Sequence, residues 1–271
     1  EKATLRHLEI DGISLFVLDA PDLYDRPGGP YVDENGYDHP DNWKRFAVLS
    51  LAGAEIAAGA LPGWRPDLVH THDWQSALTS VYLRQMGSPV PVVLTIHNLA
   101  FQGQYSSDLL PLIGLPPEAY SVDSMEYFGD ISYLKGGLMT ADHITVVSPT
   151  YAREILSPYF GMGLDGVLNA RIDRLQGIVN GIDSEVWNPA TDPFLPFQFD
   201  MKTLRNKKKN KALLLERFNL ESGDGPLFSA VTRVTWQKGM DMLANVAEEI
   251  VYRGAKLIVC GQGDPEIQDL L

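Results

Sequence analysis

VVLTIHNLAFQGQY, residues 92–105, changes character halfway along. Behind Pro91, a run of apolar and β-branched residues reads as a buried strand. His97 and Asn98 then end the apolar run, and Gln102 and Gly103 mark a loop. Such a stretch delivers polar groups to the carboxyl edge of a sheet, where open α/β sheets bind ligands. A lone histidine there reads more readily as a satisfied strand cap. Here other strand ends carry similar equipment. HTHDWQ follows a short strand at 66–70, Asn180-Gly181 ends a strand at 175–179, and Arg233 follows a strand at 227–232. Together they turn the reading toward a site.

Working outward, residues 5–19 hold two apolar runs around Asp11-Gly12, a hairpin signal. The Gly-, Pro-, Asp- and Asn-dense stretch 24–42 reads as a long surface loop. Residues 43–60 have helical spacing, with Asn42 or Asp41 as the N-cap. A helix is expected at 76–86, closed by Gly87. The spacing predicts a buried helix over 131–141, where Gly136-Gly137 permits close packing or a bend. Ser148-Pro149 combines an N-cap with proline at the first helical position. Past residue 183 the chain becomes proline-rich, and residues 202–211 hold six basic residues in ten. With no aromatics interleaved, that run reads as a solvated helix face rather than a nucleic-acid contact. Strand, amphipathic helix and strand follow at 227–232, 238–252 and 255–260, and Gly261-Gln262-Gly263-Asp264 opens a last helix.

At 271 residues there is room for one large or two smaller α/β domains. A hydrophobic content of 45% is that of a globular protein. No apolar run approaches the ~18 residues of a membrane span, and no signal-peptide pattern is visible. The single cysteine, Cys260, is expected as a buried strand thiol, in keeping with the cytosol. A net charge of −13 argues against non-specific nucleic-acid binding. A phosphorylated ligand would need a local basic cluster working against that field.

Arg233 and Lys238 supply such a cluster. Around a tight loop both cations converge on an anion at a helix N-terminus, where backbone N–H groups point outward. Gly261 and Gly263 add backbone able to approach a ligand, although the full GxGxxG fingerprint is missing. His70 and His72 share a strand face and invite a metal reading. No third nitrogen or sulfur ligand is spaced to join them, so no metal is expected. Asp73 is the strongest single candidate at that strand end.

RPDLVHTHDW, TIHNLAFQGQY, YLKGGLMTADHITVVSPTYAREI, IVNGID, TRVTWQKG and VCGQGDP resemble, in order and spacing, bacterial glycogen synthases and plant starch synthases. The resemblance implies an α/β fold of the GT-B type, with two Rossmann-like doubly wound domains. Residues 1–184 would be the first, 185–225 a linker and helix, and 226–271 the beginning of the second. It implies retaining transfer of glucose from ADP-glucose to the non-reducing end of an α-1,4-glucan or maltooligosaccharide. No cofactor, nucleic acid or membrane would take part. The location would be cytoplasmic, or a plastid in a plant. Of the candidate catalytic residues, His97 would line the donor glucose pocket, Asp73 would sit at the reaction centre or acceptor side, and Arg233 and Lys238 would hold the diphosphate. Asn98, Asn180, Tyr31, Gly261 and Gly263 would contact substrate. A UDP-glucose transferase and a non-catalytic glucan- or nucleotide-binding relative are the alternatives. The family's Lys-x-Gly-Gly-Leu loop would precede Glu1 and its Glu-x-Cys-Gly-Leu motif would follow Leu271. The chain is therefore expected to be an internal fragment, its first domain lacking its start and its second cut short, and inactive by itself.

Overall fold

The computed structural model describes residues 3–271. It divides into two compact units, one ending at Asn180 and the other running from Gly181 to Leu271. In the first, β1 (Thr4–Ile10) and β2 (Ile13–Asp19) pair antiparallel with Ile10 opposite Ile13. Asp11 and Gly12 make the turn with φ of 53° and 78°, the left-handed pair that a two-residue hairpin with this twist requires.

Helix α1 (Pro21–Tyr24) opens the long loop, and α2 (Asn42–Glu55) closes it. The loop is fastened by the buried Arg45, which donates to the carbonyls of Leu23 and Pro30 and to Asn42 Oδ1. Asp41 does precede α2, but its carboxylate does not cap the helix. It is engaged bidentately by Arg26 at 2.8 and 2.9 Å.

Strand β3 (Val69–His72) runs two residues beyond the expected end and passes directly into α3 (Asp73–Gln85). β4 (Val92–Ile96) is the apolar half of the stretch that opened the sequence analysis. The region after it carries β5 (Gln104–Ser106), β6 (Glu126–Tyr127) and β7 (Asp130–Ser132), a small antiparallel sheet ordered β5-β7-β6. Strand β7 takes the first residues of the expected helix, leaving α4 as Tyr133–Thr140. β8 (His143–Val146) leads to α5 (Pro149–Glu154), whose Ser148 Oγ accepts from the Thr150 and Tyr151 N–H groups. After α6 (Asp165–Ala170), β9 (Leu175–Gly177) completes a fully parallel sheet ordered β3-β4-β8-β9.

Alternation along the strands divides the two faces of this sheet. Leu94, Ile96, Ile144 and Val146 have no exposed surface and pack with Leu78, Leu83, Leu134 and Leu138 of α3 and α4. The opposite face carries His70, His72, Thr95 and Thr145. Helices α3 and α4 approach closely because Gly137 faces Ala77. A Cβ on Gly137 would lie 2.7 Å from that of Ala77.

In the second unit α7 (Arg205–Arg217) carries most of the basic run. As expected, the run is a solvated helix face, with Arg205, Lys207, Lys208 and Lys209 exposed. Lys207 and Lys209 also sit over the rings of Phe199 and Phe197, and Lys211 donates to the carbonyls of Gly223 and Gly225. The aromatics come from the preceding proline-rich stretch rather than from within the run. β10 (Leu227–Val231) and β11 (Lys256–Cys260) pair parallel across α8 (Met240–Tyr252), and α9 (Pro265–Leu270) follows. Val234, Met240 and Ile267 form the core of this unit. Cys260 is exposed, contrary to expectation, because it ends β11 opposite the exposed Val231, beyond that core. No helix among the described residues is long and apolar enough to cross a membrane.

Candidate functional site

Because β3, β4, β8 and β9 are parallel, their carboxyl ends share one edge, and the polar residues of the motifs gather there. Asp73 is the hinge of this edge. Its φ of 51° is left-handed, uncommon for a residue other than glycine. That bend turns its carboxylate from the end of β3 toward the end of β4. Asp73 Oδ1 accepts from the backbone N–H of His97 at 2.7 Å and of Asn98 at 3.3 Å. The loop after β4 is thus held by a charge-assisted bond from the neighbouring strand.

On the sheet face opposite α3 and α4 runs a polar ladder. His70 Nε2 meets Thr95 Oγ1 at 2.6 Å, and Thr95 Oγ1 meets Thr145 Oγ1 at 2.6 Å. The His70 and His72 rings lie 4.3 Å apart, and His72 Nδ1 is 3.0 Å from His97 Nε2. The sequence reading found no third imidazole for the His70–His72 pair; the fold supplies one, His97, from 25 residues away. Among the described residues, no three or more His, Cys, Asp or Glu side chains are grouped so as to hold a metal ion. These histidines line a cavity of about 610 Å³ together with Thr145, Gln176 and Asn180.

Burial, and after it the neighbouring His70 and His97, hold the His72 imidazole below its ordinary value of 6.5, with Asp73 opposing. A lowered value favours the neutral ring in the fold, so the unfolded chain binds more protons as pH falls below 6.5. Stability from this group is present above that pH and is lost as pH falls through the lowered value. Urea unfolding at about pH 7.5 and about pH 5.5 should show lower stability at the acid end, with a smaller difference in His72→Asn. An unchanged difference in the variant would place the acid sensitivity elsewhere.

The loop from Asn98 to Gly103 is ordered from several sides. Leu99 N–H donates to Tyr151 Oη, and Ala100 N–H to Asn98 Oδ1. The carbonyls of Gln102 and Gly103 accept from Leu134 and Tyr133 at the start of α4. Gly103 has φ of 60° and lies against Trp74, where a Cβ would come within 2.4 Å of the indole. Trp74 packs edge-on against Phe46, and Phe46 lies beside Tyr31 with ring centroids 5.9 Å apart. This aromatic chain joins Tyr31, from the long early loop, to the wall that carries the 98–103 loop. Tyr151 and Thr95 escaped the sequence reading, since a hydroxyl whose partners come from other elements carries no local signature. His72 was visible in HTHD, but only as a metal candidate.

The second unit has its own polar turn. Arg233 and Lys238 are exposed, and Lys238 ends a short 3₁₀ turn rather than beginning α8. Gly239, at φ of 67°, precedes α8 without a side-chain cap. Neither cation makes an ion pair or side-chain hydrogen bond among the described residues, and Thr235 Oγ1 is buried there without a partner. Gly261 and Gly263 have an immediate role different from ligand approach. A Cβ on either would lie about 2 Å from the carbonyl of Thr232 or Val234. Val234 N–H donates to the Gln262 carbonyl and Asp264 N–H to that of Val234. The glycines let the two loops zip together and so fix the backbone that carries Arg233.

The sequence profile of the starch synthase catalytic domain matches residues 1–170. Glycogen synthase of Rhizobium leguminosarum bv. trifolii is 57% identical over 272 residues, covering 100% of this chain and 57% of its own length. Glycogen synthase 1 of Rhizobium meliloti is 55% identical, covering 99% of this chain and 56% of its own. The chain therefore spans little more than half the length of these relatives. The catalytic domain of starch synthase IV from Arabidopsis thaliana, solved bound to ADP and acarbose, superposes with a TM-score of 0.84 at 30% identity. That match covers 98% of this chain and 55% of the Arabidopsis chain. A UDP-forming trehalose-phosphate synthase from Burkholderia xenovorans, at a TM-score of 0.55 and 11% identity, shares the fold alone.

Proposed function

The chain belongs to the starch synthase catalytic domain family, and from that premise we infer that it acts in retaining transfer of glucose from ADP-glucose to the non-reducing end of an α-1,4-glucan. The observation that carries this reading is 57% identity with a glycogen synthase along the whole chain. The neighbour solved with ADP supports an adenine nucleotide as the donor's leaving group.

In this reading the sheet edge of the first unit serves the sugar. His97 lines the donor glucose with its backbone near the anomeric carbon, and Asp73 keeps that backbone and Asn98 in place. Asn180 contacts the sugar and Tyr31 lines the approach. Arg233 and Lys238 serve the diphosphate. As the bond from C1 to the phosphate oxygen breaks, negative charge builds on ADP, and fixed cations stabilise that developing charge. Gly261 and Gly263 set the backbone around them. The reaction belongs in the cytoplasm.

The test is a chimera in which this chain replaces its counterpart in the Rhizobium leguminosarum enzyme, assayed with maltotetraose. Glucose should pass from ADP-glucose into an α-1,4-linked product, with UDP-glucose at least about tenfold slower by kcat/KM. A folded chimera inert toward ADP-glucose, beside an active parent enzyme, would overturn the reading.

A further inference from the structure

His97 lies beyond the end of β4, exposed, in a loop. Its backbone is held by Asp73, but its ring would be free to rotate if nothing else engaged it. Among the described residues, the one side-chain hydrogen bond to that ring involves His72, at 3.0 Å between His72 Nδ1 and His97 Nε2. His72, by contrast, is braced. It is the last residue of β3, its N–H donates to Ser76 Oγ, and Ser76 Oγ donates back to its carbonyl. Its ring lies against that of His70, which is itself tied to Thr95. Support therefore runs from the strand to the loop.

The contact also decides where the proton sits. One of the two nitrogens must carry hydrogen, and in a neutral pair the other must accept. If His72 Nδ1 donated, both rings would need the Nδ1–H form, which an unconstrained histidine disfavours. If His97 Nε2 donates, both rings keep the preferred Nε2–H form. The lowered affinity of His72 for protons agrees, since a protonated His72 could no longer accept.

We propose that His72 is a positioning residue that accepts a hydrogen bond from His97 Nε2–H, fixing the plane of the His97 ring and leaving its Nδ1 as a free acceptor. The consequence for catalysis rests on the reading of His97 as a sugar-side residue; the tautomer itself does not. His97 with a bare Nδ1 receives hydroxyl donors and rejects acceptors, which gives the site a chemical sense that its shape alone lacks.

Long-range ¹H–¹⁵N correlation on the labelled 271-residue chain reads the tautomer of each of its six histidines without turnover. His97 should be Nε2-protonated with a slowly exchanging Hε2 in the wild type. His72→Asn puts an amide oxygen where Nδ1 stood and should retain that signature. His72→Leu should lose it, with Hε2 exchange at least about tenfold faster and Nδ1–H form appearing. Should the leucine variant fail to fold, His72→Gln serves instead. Its amide reaches the Nε2 position rather than Nδ1, so it should also lose the signature. A wild-type His97 in the Nδ1–H form, or one unchanged in whichever of the leucine and glutamine variants folds, would overturn the proposal. Failure of glucosyl transfer in the chimera would instead overturn the proposed function, so the two fail separately.

Discussion

Alanine at Arg233 or Lys238 is expected to lower kcat/KM for ADP-glucose in the chimera by about 10- to 150-fold each, the equivalent of a charge-assisted phosphate contact of roughly 1.5–3 kcal/mol. Both side chains are exposed on one turn, five positions apart, and neither is committed to an ion pair among the described residues. In a protein of net charge −13, two uncommitted cations beside an uncapped helix start are a local exception to the mean field. An ordinary solvated lysine or arginine would leave activity almost untouched when removed. The two explanations therefore separate cleanly. Because the interaction grows as ADP departs, the loss should fall on kcat as well as KM. Arg233→Lys should recover part of it by restoring charge without the planar fork. Activity within twofold of wild type for both alanine variants would remove the phosphate assignment.

Gly137→Val is expected to destabilise the first unit by roughly 3 kcal/mol or more, at the upper end of overpacking effects. The new Cβ would meet Ala77 Cβ at 2.7 Å and the Ala77 Cα and carbonyl oxygen at 3.1 Å. Two of these are backbone atoms of α3, so relief requires moving a helix whose other residues pack beneath β4. For a unit of this size the thermal midpoint should fall by about 6–12 °C. Gly166→Ala in α6 is the control. Its Cβ would meet nothing within 4 Å, and the change should be neutral or slightly stabilising. A Gly137→Val protein within about 1 kcal/mol of wild type would mean that the helix crossing is looser than its geometry implies.

Gly137 shows what a sequence discloses. Gly136-Gly137 inside an apolar helical run announced close packing or a bend, of which the structure shows the close packing, and Asp11-Gly12 between apolar runs announced its turn, because each signal is local. The strand ending in His97 likewise announced a polar sheet edge. What escaped depended on partners far along the chain. Asn42 or Asp41 was expected to cap α2, but Asn42 is its first residue, and Arg26, fifteen residues before Asp41, takes the Asp41 carboxylate. The pairing of His72 with His97 spans 25 residues and exists only because β3 and β4 are neighbours. Strands of two or three residues, as in β5, β6 and β7, are too short to display a period. The rings under Lys207 and Lys209 likewise belong to another segment, so the solvated basic run itself gave no sign of them.

Asp73 leaves a mark that an evolutionary experiment would expose. A left-handed backbone costs most residues about 1–2 kcal/mol, and glycine escapes that cost. Glycine at position 73 would relax the backbone, but it would release the N–H groups of His97 and Asn98 that the carboxylate now holds. Hydrogen bonds to a charged acceptor contribute roughly 1.5–3 kcal/mol each, so the loss exceeds the relief. A library screened for thermal tolerance alone should therefore keep aspartate at position 73, even where turnover is never selected.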